Sequence, residues 1–321
     1  KRQNIFKYNG LNNKKYKFTE LILYMVLITV KGNLVSISEA GLLIEIEDFI
    51  LDTCEYQTKS RSFFNRLARL LIDFDEVYNP DYSYFGCIEA FVELRYDLND
   101  YLDYEDELVQ QLRNLSFDYI QRRFDSYVTR HKRKLRDHRY SESENTKQLT
   151  ERMKAVSKRY ARILVVRLDL MYKKDYRHLI GIEDFDRDMR TLRQYIHNQD
   201  RIFEGLIEYA WALEQGADKG YHCHLLLVYK GHEHNNGYGI AKRVNELWQK
   251  ITFEQGYYFN CHSAVYLRQF KEKGTLGIGM IKTKDEEQVE NMLATIKYLV
   301  RSEKEEQHLR VKVCRKMRTF G

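Results

Sequence analysis

The sequence predicts an α+β protein, with an antiparallel sheet and helices in its C-terminal half and a mainly helical region before it. Three observations carry that prediction. Apolar residues recur at helical spacing over residues 1–155, as in "ISEAGLLIEIEDFILDTC" and "SRSFFNRLARLLIDF". From residue 163 the texture changes to short apolar runs bounded by turn residues. Two of these runs, "FEGLIEYAWALEQ" and "YHCHLLLVYKG", flank "GADKG", which reads as a hairpin.

Taken in order, the two helices are followed by "YNPDYSYFG", whose proline and glycine mark a loop. The polar stretch "SESENTKQ" is the best linker candidate, ahead of a basic helix "LTERMKAVSKRYAR". It divides the chain into a helical domain, residues 1–150, and a second domain, residues 155–321. There "ILVVRLDL" predicts a strand, and "GIEDFDRDMRTLRQYIHNQ" a helix with acids in its first turn. After the hairpin come a helix in "GIAKRVNELWQKIT", a strand in "YYFNCHSAVYL" and a long helix in "KDEEQVENMLATIKYLVRSEKEEQ". The order strand, helix, hairpin, helix, strand, helix suits a sheet with helices laid on it.

Composition narrows the class. At 321 residues, 43% hydrophobic and 13% aromatic, the chain is globular and long enough for two cores. The apolar run at residues 21–30 is too short to span a bilayer, so no membrane partner is expected. The chain begins at Lys1 rather than a methionine, which leaves a preceding segment open. Five scattered cysteines without a CxxC pair predict reduced thiols and a cytoplasmic protein. Net charge is +6, unevenly placed. Residues 93–107 hold seven acids against Arg95, while "QRRFDSYVTRHKRKLRDHRY" holds eight Lys or Arg. The basic segment, with Lys132, Arg133 and Lys134 at its centre, is a phosphate-backbone contact or a solvated helix face. The acids either mask it or serve something else.

Chemistry concentrates in the hairpin. His222 and His224 are one residue apart in a strand, so both imidazoles leave the same face, about 7 Å apart along the chain. Glu214, across the tight turn, can fold back beside them. One carboxylate and two imidazoles make a three-ligand set with open positions for a substrate. The bland alternative is a hydrogen-bonded histidine pair on a solvated sheet. A second HxH, His232-Glu233-His234, falls in loop chemistry where no strand holds the rings parallel. In the last helix Tyr298 is followed by Arg301 one turn on and by Lys304. A tyrosine beside cations and a metal can ionise and attack phosphorus, which a phenol of pKa about 10 does poorly. With 25 tyrosines in the chain, simple packing on the sheet is the competing reading.

Together, "ILVVRLDL", the hairpin with "YHCHLLL" and the C-terminal "YLVR" resemble the three motifs of HUH endonucleases of the rolling-circle replication initiator type. The finer texture, "WALEQGADKGYHCHLLLVYKG" through "RKMRTFG", is similar to inovirus-type (filamentous-phage gene II-like) initiators over about residues 160–321. Two positions depart from that pattern. Cys223 stands where the family carries a bulky aliphatic, and Arg301 where it carries lysine, with Lys304 as a substitute cation.

The resemblance implies that Glu214, His222 and His224 hold Mg2+ or Mn2+. Tyr298 would attack and become linked to the 5′ phosphate of a nicked strand, assisted by Arg301 and Lys304. It further implies single-stranded DNA at an origin or hairpin as substrate, and a host helicase and polymerase as partners. Arg167 and Asp169, on one face of the first strand, would touch DNA or the metal, or form a structural salt bridge. Three alternatives stand beside this reading: a DNA-binding regulator on the same fold, a transposase or relaxase relative, and a helical interaction protein with a vestigial C-terminal half.

Overall fold

A computed structural model of the chain describes residues 37–56, 60–300 and 307–321. The apolar run at 21–30, Arg301 and Lys304 lie outside the described residues. Among the described residues, five α-helices come first: α1 (Glu39–Tyr56), α2 (Phe63–Val77), α3 (Ile88–Asp97), α4 (Glu105–Leu115) and α5 (Phe117–Arg159). A short strand, β1 (Ser83–Tyr84), separates α2 from α3. Their apolar stripes face one another, as in α2, where Phe63, Leu67, Leu70, Leu71 and Phe74 are all buried at helical spacing.

Helix α5, 43 residues and about 65 Å long, runs the length of both halves. Its start buries Ile120 and Phe124 among the helices, and its end buries Leu149 and Met153 against the sheet. The stretch at 141–148, expected as a linker, is helix throughout, so the expected boundary between residues 150 and 155 falls inside α5. That stretch is polar but holds no Gly or Pro to break a helix. Its hydroxyls bond back one turn instead, Ser141 Oγ to Asp137 O at 2.9 Å and Thr146 Oγ1 to Glu142 O at 2.7 Å.

The remaining elements are β2 (Arg162–Tyr172), α6 (Ile182–His197), β3 (Leu206–Gly216), β4 (Gly220–Lys230), α7 (Gly237–Ile251), β5 (Gly256–Asn260), α8 (Ala264–Glu272), β6 (Gly279–Lys282), α9 (Glu286–Val300) and β7 (Val311–Lys312). The sheet runs β3-β4-β2-β5, with β6 also paired to β2, and every pairing is antiparallel. This is the α+β architecture expected from the sequence. β7 pairs with β1, tying the C-terminal segment to the helical half. The free edge of β3 is covered as well: Trp211 and Gly321 exchange backbone hydrogen bonds of 2.9 and 3.1 Å.

Both sheet faces are covered, which is why β2 is buried on both sides and mostly apolar. On one face Leu164, Val166, Leu168 and Leu170 join the helices in the larger buried cluster. On the other, Ile163, Val165, Leu226 and Val228 pack under α5 and under Met292, Ile296 and Leu299 of α9. Truncating Leu226 to Ala in that layer should cost about 2–5 kcal/mol. On this second face of β2 the apolar run is interrupted by buried Arg167 and Asp169.

The strand expected over "YYFNCHSAVYL" ends at Asn260. Asn260 Oδ1 accepts from the His262 N–H at 2.9 Å, and Ser263 caps α8 by accepting from the Tyr266 N–H. Local side-chain acceptors therefore overrode the β-propensity of the aromatics.

Candidate metal centre

The hairpin fixes the site. Gly216 pairs with Gly220, and Gly220 takes the left-handed conformation (φ 63°) that closes a three-residue loop. The resulting register sets Glu214 opposite His222, and Ala212 opposite His224, which in turn faces Asp169 of β2. All four polar side chains leave the second face, and all four are buried there.

Hydrogen bonds then orient the rings. His222 Nδ1 lies 3.0 Å from the Gly220 carbonyl, and a carbonyl only accepts, so Nδ1 carries a proton and Nε2 is the binding atom. His224 Nδ1 lies 2.6 Å from Asp169 Oδ1, which turns its Nε2 toward Glu214 Oε2 at 3.1 Å. His222 Nε2 is 3.4 Å from the same carboxylate oxygen. The three ligand atoms lie within 4.8 Å of one another. A carboxylate behind the ligating imidazole is the usual support of a metal-bound histidine. The set fits a divalent cation on one further observation: His222 Nε2 is fully buried and makes no hydrogen bond.

The electrostatics agree. Burial alone would raise the Glu214 carboxyl, but the two imidazoles beside it, His222 and His224, hold it down at about 2. Asp169 is likewise at about 2, because the hydrogen bond and charge of His224, then Arg167, outweigh burial. Burial opposes a charged His224, yet Asp169 and then Glu214 lift it to about 9. A cation held at Nε2 would take the place of a proton there.

Arg167 connects this cluster to Tyr298. Its guanidinium lies 3.7 Å from Asp169 Oδ1 and 5.4 Å from the centroid of the Tyr298 ring. Arg167 is only 5% exposed, and its Nε has no hydrogen-bond partner. Its backbone N–H donates to His262 Nε2 at 3.1 Å, and burial lowers the His262 pKa to about 4, so that imidazole accepts as the neutral ring. Tyr298 itself is 46% exposed. The sequence-predicted residues Glu214, His222, His224, Arg167 and Tyr298 are thus brought together. A second carboxylate on the same face, Glu208, lies four residues along β3 from Ala212, about 13 Å away, and pairs with Arg152 at 3.5 Å.

The basic segment is remote from the hairpin in sequence, and three of its eight cations are already answered. Arg123 pairs with Asp97 and Glu93, and Arg130 and Lys134 pair with Glu89, so acids of α3 neutralise one face of α5. Lys132 and Arg133 are exposed, with Lys132 on the side of the helix away from those ion pairs. The second HxH lies in the turn after β4, with His232 exposed and His234 against the Tyr229 ring at 4.7 Å.

Two residues of the site carry no separate sequence signal. Asp169 was visible beside Arg167, but only strand register assigns it to His224. His262 was read as part of a strand. A second buried group, Glu47, Cys87 and His131, also gathers ligand-type atoms within 4.8 Å. There Arg310 pairs with Glu47, His308 Nε2 lies 3.2 Å from it, and His131 Nδ1 accepts from the Cys87 N–H. Those atoms are already spent, and the group locks the C-terminal segment onto α1 and α5.

No curated protein and no solved structure matches the chain. A family profile does, that of the YagK/YfjJ C-terminal domain, over residues 105–321. The match takes in α4, all of α5, the whole five-stranded sheet and every residue of the hairpin centre, well over half of the chain. The protein belongs to the YagK/YfjJ C-terminal domain family.

Proposed function

We propose that the protein nicks and rejoins single-stranded DNA through a covalent tyrosine intermediate, as a rolling-circle replication initiator of HUH type. The observation that carries this reading is the convergence of His222 Nε2, His224 Nε2 and Glu214 Oε2 on one point. Both imidazoles are fixed from behind, and Tyr298 sits beyond Arg167. A bound Mg2+ or Mn2+ would neutralise the scissile phosphate and polarise it, and two imidazole ligands favour Mn2+.

The chain's own groups do the rest. Asp169 holds His224 in its tautomer, and Arg167 supplies a buried cation beside the Tyr298 ring. Tyr298 Oη attacks phosphorus and forms a P–O bond. The bond to the 3′ oxygen breaks, and that oxygen leaves with a proton as a free hydroxyl. The phosphotyrosine keeps the phosphodiester energy, so a later 3′ hydroxyl can reverse the step and join ends. A regulator that only binds DNA has no use for two imidazoles and a carboxylate converging on one point. A transposase or relaxase relative would share this chemistry and differ in its target.

The test is incubation of the protein with labelled single-stranded oligonucleotides and Mn2+, followed by a denaturing gel. A covalent adduct should form, Tyr298→Phe should lose it while still binding Mn2+, and mass spectrometry should place the label on Tyr298. No adduct with any sequence tried, or a label on a tyrosine outside α9, overturns the proposal.

A further inference from the structure

The row of cross-strand neighbours Ala212, His224 and Asp169 continues one strand further, to Phe259 on β5. Directly opposite residues share a face, so Phe259 stands on the same side as the metal-binding atoms. Two strand spacings separate it from His224, about 10 Å. The next residue on that face is Tyr257, paired with Met171. Both rings are exposed, Phe259 by 41% and Tyr257 by 49%. Exposed aromatics on an edge strand invite aggregation unless they meet something.

The platform extends onto α8. The Phe259 and Tyr266 ring centroids are 5.3 Å apart, and those of Tyr266 and Phe270 are 4.9 Å apart. None of the α8 side chains is fully buried, and the helix carries exposed Arg268 and Lys271. Aromatic faces interleaved with cations suit a chain of stacking bases joined by phosphates, and do not suit a purely apolar partner.

We infer that Tyr257 and Phe259, backed by Tyr266 and Phe270, form a base-stacking platform for single-stranded DNA beside the hairpin centre. The inference rests on reading that centre as a DNA-cutting site, and it names the surface that holds the strand there. Arg268 and Lys271 would lie along the strand's phosphates. Because every base has a π face, the platform binds without sequence preference.

The test is fluorescence anisotropy with a short labelled oligodeoxynucleotide, without metal, for the full chain and for Tyr257→Ala, Phe259→Ala and Phe259→Trp. Each alanine change should weaken binding roughly 5- to 100-fold, the usual loss for one stacked base. Phe259→Trp should bind as the parent does or more tightly. Mn2+ binding should be unchanged in all three, since none touches a ligand atom; this separates failure of the platform from failure of the metal centre. Affinity within twofold of the parent in both alanine variants overturns the platform. So does equal weakening toward duplex DNA, tighter binding of RNA than of DNA, or a change of oligomeric state in Phe259→Ala on sedimentation. If the covalent adduct never forms but the alanine variants still lose single-strand affinity, the platform stands and the cutting activity falls.

Discussion

Replacing Asp169 with Asn tests the centre through the residue that orients it, without removing a ligand. The amide keeps the shape of the carboxylate and can still accept from His224 Nδ1–H, but its charge is gone. Two effects of opposite sign follow. Losing the carboxylate behind a ligating histidine typically costs 10- to 100-fold in metal affinity, about 1.4–2.7 kcal/mol. Against that, Asp169 is the main reason that His224 is lifted to about 9, so in the parent a metal must displace a proton at neutral pH. Parent affinity should climb roughly tenfold per pH unit from about pH 7 to about pH 9. The Asn variant, with a lower His224 pKa, should show a flatter profile. The parent should bind more tightly near pH 9, and the profiles should cross as pH falls, leaving the variant the tighter binder near pH 6. Mn2+ titration by calorimetry across that range, at constant ionic strength, reads both effects. Superimposable profiles, or equal affinity at about pH 9, would refute the assignment of Asp169. Removing one partner of a buried ion pair costs up to roughly 3–5 kcal/mol. The 3.7 Å separation from Arg167 makes that an upper bound, and a thermal melt should confirm a folded variant before titration.

Glu214→Gln should weaken Mn2+ binding at least tenfold, whereas Glu208→Gln, which only loses Arg152, should leave it unchanged; the reverse outcome in the same titration would move the ligand to Glu208. Lys132→Ala with Arg133→Ala should lower the salt slope of single-strand binding by up to about 1.4, since each phosphate contact contributes about 0.7. Arg130→Ala should move that slope less, because Glu89 already answers Arg130, and equal slopes for all variants would dismiss α5 as a DNA contact. Without metal, the raised His224 pKa contributes stability that is present below its ordinary value of 6.5 and lost as pH rises through about 9. The metal-free melting temperature should therefore fall across that window. A curve flat from about pH 6 to pH 9 would deny the charged His224.

How much of this was legible in the sequence follows from how far each signal reaches. The HxH spacing and the turn glycines are local, so the hairpin and the Glu214–His222–His224 set could be read from residues 214–224 alone. The α+β order was legible for the same reason, since each element announces its own period. Where local composition was ambiguous, the expectation failed: a polar run without Gly or Pro proved to be helix, and aromatic "YYFN" could not show that Asn260 and Ser263 would end the strand.

Non-local facts were invisible in kind. Asp169 meets His224 only because β2 runs antiparallel to β4 in one register, and a slip of one residue would turn it to the opposite face. The same holds for Phe259, whose place beside the centre depends on the β2–β5 register. The acids of α3 were equally legible as a mask or as a separate feature until the packing of α3 on α5 set Glu89 and Glu93 against Arg130 and Arg123. That pairing also bears on function. By neutralising one face of α5 it leaves the exposed Lys132 on the opposite side, which is where the proposed strand contact would fall. A charge run that reads as a diffuse basic patch in sequence is, once folded, a directional one.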